Sequence, residues 1–325
     1  MKIIVTGCAG FIGSRVCELL IDKGHTVIGI DILNDAYDIR LKEYRLSSIE
    51  KLDSFSFYKK DISDIKSINE IFKSNADADA VINLAARAGV RASIEMPQEY
   101  INTNVTGTIN LLELCKAHKI GKFVQASTSS LYGENKTPFS EEMNTDRTLS
   151  PYAASKKAAE NICYTYYKLF EIDITVLRFF TVYGPAGRPD MSPFRFIRWI
   201  MEDEDLILYG DGNHERDFTY VDDIAEGTIL SLKKVGYEII NLGNDQPLKM
   251  NDLISQIEVL TSKKAKVINQ SAQKADVTAT WADITKAKRK LDWKPKFNLE
   301  KGVGLSVEWY KKNREFAKSI NIALN

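Results

Sequence analysis

A chain of 325 residues, 44% hydrophobic and 27% charged, has the composition of an ordinary globular protein and room for a core in one large domain or two coupled ones. Lys plus Arg (44) balances Asp plus Glu (44), so no overall field draws the chain to nucleic acid or an anionic membrane, and an anionic ligand must be held by local groups. No apolar run reaches spanning length or resembles a signal peptide, and the four cysteines and three histidines are scattered without metal spacing, so the expectation is a cytoplasmic protein with reduced thiols and no metal.

Short apolar runs alternate with helical patterns through the first half, the signature of a parallel sheet covered on both faces. Strands are predicted at Lys2–Thr6, Thr26–Ile30, Phe55–Lys59, Ala80–Leu84, Lys122–Ala126 and Ile174–Phe179. Helices are predicted at Phe11–Lys23, Leu41–Leu52, Ile65–Ser74, Pro97–His118 and Pro151–Phe170. A turn-rich segment, Gly184-Pro185-Ala186-Gly187-Arg188-Pro189-Asp190, ends this regularity. Amphipathic stretches follow at Phe194–Glu202, Leu253–Leu260 and Thr285–Leu291. The pattern Asp222–Lys233 then Glu238–Leu242 reads as one more helix and strand returning to the sheet. The expected division is therefore a nucleotide-binding domain over 1–182, rejoined by 218–245, and a smaller α/β domain from 183–217 and 246–325.

The glycine loop Thr6-Gly7-Cys8-Ala9-Gly10-Phe11-Ile12-Gly13 follows an apolar strand and opens a helix. In that context Gly7 permits the tight turn, Gly10 the close approach of a pyrophosphate and Gly13 tight helix packing. The pyrophosphate would rest on the amide-rich helix start. The spacing is Gly-x-x-Gly-x-x-Gly rather than the commoner Gly-x-Gly-x-x-Gly. Asp31, ending the second strand, is placed to bond adenosine ribose hydroxyls and repel a 2′-phosphate, which favours NAD over NADP. Asp61 and Ile62, just past the third strand, are candidates for the adenine edge.

Tyr152 and Lys156 lie four apart, so a helix carries both on one face. A phenol titrates near 10, and bringing it to about 7 needs roughly 4 kcal/mol of differential stabilisation. Two cations in a partly desolvated cleft, Lys156 and a pyridinium ring, can supply this. Alone, a Tyr-x-x-x-Lys match is weak; its meaning comes from the glycine loop and the motifs beside it.

Those motifs are Asn83-Leu84-Ala85-Ala86, Ser127-Thr128-Ser129-Ser130-Leu131-Tyr132-Gly133, Arg178-Phe179-Phe180-Thr181-Val182-Tyr183-Gly184-Pro185, Gly210-Asp211-Gly212 and Arg216-Asp217-Phe218-Thr219-Tyr220-Val221-Asp222-Asp223. With them the chain resembles, over essentially its whole length, the extended short-chain dehydrogenases/reductases of the nucleotide-sugar epimerase/dehydratase group. Ala88-Gly89-Val90-Arg91 and Gly187-Arg188-Pro189-Asp190-Met191 make it most similar to the UDP-glucuronate 4-epimerases. The resemblance implies a Rossmann-type doubly wound sheet, a bound NAD, a UDP-sugar substrate and a homodimer formed through helices near 97–118 and 151–170. It implies a Thr128-Tyr152-Lys156 triad, with Leu84, Ala85 and Ala86 lining the cofactor.

Ser129 and Ser130 separate reaction types. Sugar 4,6-dehydratases carry Asp-Glu at these positions, an acid and base for eliminating water. Hydroxyls orient a substrate but are not strong bases, which favours epimerisation at C4 through a 4-keto sugar. Ser129, Ser130 and Thr181 offer neutral donors for a sugar carboxylate. Arg216, with its fork-shaped guanidinium, is the candidate for the diphosphate; Arg188 reaches the phosphates or the sugar, and Asp276 the nucleotide ribose. A neutral UDP-hexose epimerase, a UDP-glucuronate decarboxylase and a non-catalytic NAD-sensing protein remain alternatives.

Overall fold

The computed structural model describes residues 1–271 and 277–322. Seven strands make the central sheet: β1 (Lys2–Thr6), β2 (Thr26–Asp31), β3 (Phe55–Lys59), β4 (Ala80–Asn83), β5 (Lys122–Thr128), β6 (Asp173–Phe179) and, later in the chain, β10 (Tyr237–Leu242). All pair in parallel, in the order β10-β6-β5-β4-β1-β2-β3. The order reverses between β1 and β4, which opens a crevice at their carboxyl ends. Buried on both faces, the inner strands are near-continuous apolar runs, Ile3, Ile4 and Val5 in β1 and Ala80, Val81 and Ile82 in β4 being fully covered.

The chain leaves the sheet after β6 and builds two small sheets. In one, β7 (Thr181–Tyr183) pairs in parallel with β9 (Glu215–Tyr220), which takes β11 (Pro247–Lys249) antiparallel. In the other, β8 (Asp205–Tyr209) pairs in parallel with β12 (Lys266–Gln270). Helices Ser192–Met201, Met250–Thr261 and Leu299–Lys312 pack a second core of Phe194, Phe196, Trp199, Leu253 and Tyr310. The helix Val221–Leu230 leads back to β10 and is clamped to the first helix, Phe11–Asp22, by Arg15, whose guanidinium forks onto both oxygens of Asp222 at 2.8 and 2.9 Å.

The predicted single helix over 97–118 is instead α-helical at Pro97–Ile101, π-helical at Asn102–Thr106 and α-helical again at Gly107–His118. The cause is visible in the side chains of the bulge. Asn104 is buried and turns away from helix neighbours to satisfy the loop after β4: it accepts from the Arg87 N–H at 2.9 Å and donates to the Arg87 carbonyl at 3.0 Å. Among the described residues no helix is long and apolar enough to cross a membrane, and no cluster of three or more His, Cys, Asp or Glu is placed to hold a metal. All four cysteines are free and buried.

Candidate active site

The glycine turn has no room for side chains. Gly7 has φ +71°, and a Cβ there would lie 2.6 Å from the Ala85 nitrogen and 2.8 Å from the Leu84 oxygen. A Cβ on Gly13 would sit 2.0 Å from the Gly7 carbonyl oxygen, so the helix Phe11–Asp22 starts directly against the turn. Leu84 and Ala85 close the other side, the Leu84 N–H donating to the Thr6 carbonyl and the Ala85 N–H to the Thr6 hydroxyl. Ala86 continues that segment toward Arg87. Beneath it the Thr6 hydroxyl donates to Asn83 at 2.6 Å, and Asn83 donates to Gln125 at 2.9 Å, a buried polar ladder across β1, β4 and β5.

Asp31 ends β2, only 8% exposed, and receives the Ala9 N–H at 3.1 Å and the Leu33 N–H at 2.8 Å. Its carboxylate thus ties the β2 tip to the glycine turn, with lone pairs remaining for a ribose. Asp61 caps the turn after β3 by accepting the Ser63 N–H. Ile62 is buried beside Gly107, and its carbonyl is held by Asn110 at 2.9 Å. Phe11 is buried and Ile12 packs against the cores on both sides of the glycine helix. The cradle at Gly7 and Gly13, the helix start and the buried acid at the β2 tip fit a dinucleotide.

The helix Pro151–Phe170 begins where Ser150 accepts the Ala153 N–H and Pro151 takes the first turn, whose amide has no helical partner. This places Tyr152 in the first turn, near the end of β5. Thr128, the last residue of β5, donates to the Ser130 hydroxyl at 3.2 Å and accepts the Ser130 N–H at 3.1 Å. Ser129 and Ser130 form a 3-10 turn (Ser129–Tyr132) at the same edge. Thr181 stands at the start of β7, opposite Phe218. Tyr100 packs edge-on against Tyr152, ring centres 6.0 Å apart.

Burial pushes the Tyr152 phenol above its usual range; a hydrogen bond to Thr128 and the positive field of Arg188 oppose that rise. The Lys156 ammonium is 3% exposed and turns to the sheet, donating to the Ala126 carbonyl at 2.9 Å. Burial lowers it to about 8, against smaller raising influences from Cys163 and Glu160.

Arg188 comes from the turn-rich segment. It forks onto Asp190 at 3.0 and 2.5 Å and donates to the Ala88 carbonyl at 3.3 Å. Burial works against the Asp190 charge, yet Arg188 holds that carboxyl below its ordinary range. Arg188 is close enough to Tyr152 for its charge to act on the phenol. Arg216, on β9, donates to the Glu215 carbonyl at 2.9 Å. Asp276 falls outside the described residues.

Sequence reasoning passed over several residues that shape this site. Asn104 also donates to the Ser155 hydroxyl at 2.9 Å, and Ser155 donates to the Tyr152 carbonyl at 2.7 Å, so the bulge braces the first turn of the tyrosine helix. A polar run inside an apolar helix, Asn102-Thr103-Asn104, was the available signal. Glu160, one turn past Lys156, is buried and forks with buried Arg178 of β6 at 3.0 and 2.7 Å.

A family model described as GDP-mannose 4,6 dehydratase matches residues 4–305. A UDP-glucuronate 4-epimerase from Thermodesulfobacterium geofontis (strain OPF15) is 53% identical over 320 residues, spanning 98% of this chain and 99% of that protein. The crystal structure of UDP-glucuronic acid 4-epimerase from Bacillus cereus in complex with UDP-glucuronic acid and NAD is similar at TM-score 0.91 and 38% identity, over 96% of this chain and 99% of that one. A UDP-glucose 4-epimerase from Thermotoga maritima, solved with UDP-glucose, gives TM-score 0.88 at 32% identity, over 97% and 100%. The family match and these full-length likenesses join the reversed parallel sheet, the glycine turn closed by Leu84 and Ala85 and the partly buried phenol beside a strand-end threonine, and the chain belongs to the extended short-chain dehydrogenase/reductase family of nucleotide-sugar epimerases and dehydratases.

Proposed function

We propose that this protein is an NAD-dependent 4-epimerase of UDP-sugars that interconverts UDP-glucuronate and UDP-galacturonate. The observation that carries the reading is the Tyr152 phenol, close enough to Thr128 and Arg188 for both to favour its anion, at an edge where the neighbouring strand-end groups Ser129 and Ser130 are hydroxyls. The dehydratases that share this family need a carboxylate acid–base pair there. NAD held on the glycine turn by Gly7, Gly10 and Gly13, with Asp31 on its ribose, supplies the hydride acceptor and donor for C4.

Tyr152 takes the proton of the sugar 4-hydroxyl and, once the keto sugar has turned, gives it back on the other face. Thr128 bonds the same hydroxyl and fixes its direction toward the phenol. Lys156, largely protonated at neutral pH, would hold the nicotinamide ribose and, together with the pyridinium ring, favour the phenolate. A 4-keto glucuronate carries its ketone β to the carboxylate and loses carbon dioxide readily, so the carboxylate must be held without draining its electrons. Ser129, Ser130 and Thr181 provide neutral donors, and the Arg188 charge is already compensated by Asp190. Arg216 and Asp276 hold the nucleotide diphosphate and ribose. The division proposed for the chain assigns 1–182 and 218–245 to NAD, and 183–217 and 246–325 to the UDP-sugar. Exposed Tyr164, Leu169 and Phe170 on the tyrosine helix and Ile101 on its neighbour support pairing of two copies through these helices.

The test is anomeric proton NMR of the purified protein with UDP-glucuronate. Appearance of UDP-galacturonate is the expected outcome. Turnover of UDP-glucose alone moves the substrate to a neutral hexose, and carbon dioxide release moves the reaction to decarboxylation.

A further inference from the structure

Arg45 lies on the helix Ile39–Ile49, which packs against the helix Phe11–Asp22, yet only 4% of it is exposed. Its guanidinium reaches three segments that are far apart in the chain. It donates twice to the Ala186 carbonyl, at 2.9 and 2.7 Å, and once to the Gly187 carbonyl at 3.2 Å. It donates to the Tyr37 hydroxyl at 2.7 Å and stands 3.5 Å from the Ala9 carbonyl of the glycine turn. The guanidinium carbon is 5.7 Å from the Phe11 ring centre and 5.5 Å from that of Tyr37. Arg188 approaches the same Tyr37 ring at 5.7 Å.

Each contact has a consequence. Ala186 holds a left-handed backbone, φ +50°, which a non-glycine residue adopts only when neighbours fix it. Its carbonyl and that of Gly187 immediately precede Arg188, so the donors of Arg45 set where the Arg188 backbone starts. Buried carbonyls left without these charged donors would cost several times what an ordinary exposed hydrogen bond contributes. At the other end, Ala9 and Phe11 belong to the turn that fits a dinucleotide.

We propose that Arg45 is a positioning residue that couples the dinucleotide turn to the loop carrying Arg188, so that a dinucleotide on the turn and a sugar acid under Arg188 strengthen each other's binding. This rests on the reading of the site as a UDP-glucuronate epimerase. A charged fork makes the link because one planar group must serve acceptors on both sides at once; a lysine has the charge without the geometry.

The test compares the NAD-loaded wild type with Arg45→Lys, Arg45→Met and Tyr37→Phe, each checked for wild-type circular dichroism. Release of NAD is timed by dilution into an NAD-scavenging coupled assay, with and without saturating UDP-glucuronate, and UDP serves as a ligand lacking the sugar. In the wild type, UDP-glucuronate should slow NAD release by about tenfold, the scale of a typical coupling between sites. That slowing should vanish in Arg45→Met, shrink in Arg45→Lys and survive largely in Tyr37→Phe, while affinity for UDP stays within about threefold. Equal weakening of UDP and UDP-glucuronate, or undiminished slowing in Arg45→Lys, overturns the proposal; the lysine variant decides it should the methionine variant not fold. Because the readout needs binding and no turnover, absence of epimerisation in the wild type refutes the catalytic reading separately.

Discussion

Replacing Arg178 with methionine removes one half of a bidentate ion pair that has almost no access to water. Arg178 is 1% and Glu160 2% exposed, and the remaining bonds to the Glu160 carboxylate include one from Ser127 at 2.6 Å. Removing one partner of such a pair leaves an uncompensated buried charge and costs about 3–5 kcal/mol. With an unfolding entropy of roughly 2.1 cal/mol/K per residue over 325 residues, a loss of about 4 kcal/mol lowers Tm by about 6 °C. Replacing both partners, Arg178→Met with Glu160→Leu, removes the stranded charge and should recover at least about half of that loss. Tyr132 keeps a partner in the double variant, because its hydroxyl also donates to Asn241 at 2.6 Å. Calorimetry and urea unfolding of the two single variants and the double variant complete the cycle. A single variant within about 1 kcal/mol of wild type, or a double variant no better than the worse single one, refutes the reasoning.

Thr128→Val keeps the volume but deletes the hydroxyl that bonds Ser130 and favours the Tyr152 anion; kcat should fall by about ten- to a hundredfold, read by the NMR assay with KM measured alongside. Tyr152→Phe should cost at least about two orders of magnitude in kcat while NAD stays bound, and an unaffected rate removes the phenol from the reaction. Burial holds Lys156 down to about 8 in the folded chain, whereas an unfolded lysine titrates near 10.4. Between these values the unfolded state holds a proton that the folded state has released, so this group makes stability rise with pH across the window. The rate should show an alkaline decline centred near pH 8 as the ammonium is lost, and Lys156→Met should lack that limb. Gly13→Ala drives a Cβ into the Gly7 carbonyl at 2.0 Å, and the purified variant should retain less than about a tenth of the wild-type NAD, measured by absorbance after heat release.

The parallel half of the fold was legible because buried strands leave unbroken apolar runs and glycines mark the turn between β1 and its helix. The small sheets were not, for a physical reason concentrated in β9. Its centre is Asp217, fully buried and accepting N–H groups from Asn244 at 2.6 Å, Ala282 at 2.9 Å and Asp245 at 3.1 Å. Burial raises that carboxyl to about 6, with the same amides pulling it back. A strand built around a buried acid shows no hydrophobic alternation, so nothing in its sequence announces a strand. Arg45 and Glu160 hid in the same way: on a helix a charged residue reads as solvated until the surrounding carbonyls and partner charges are seen. The Tyr152 and Thr128 pairing was readable from motifs, while the inward turn of Lys156 depends on an Ala126 carbonyl that no pattern marks.

The return of β10 to the sheet has a practical consequence for dissecting this protein. Every backbone group along the outer side of β6 pairs with β10, from Ile174 opposite Tyr237 to Phe179 opposite Leu242. A truncated chain stopping after Tyr183 would expose that side as a bare ladder of donors and acceptors, flanked by the apolar Val176 and Leu177, a template for sticking to other chains. The two halves of the crevice are therefore obtained together or not at all, and swapping sugar specificity between relatives calls for grafting loops rather than exchanging halves.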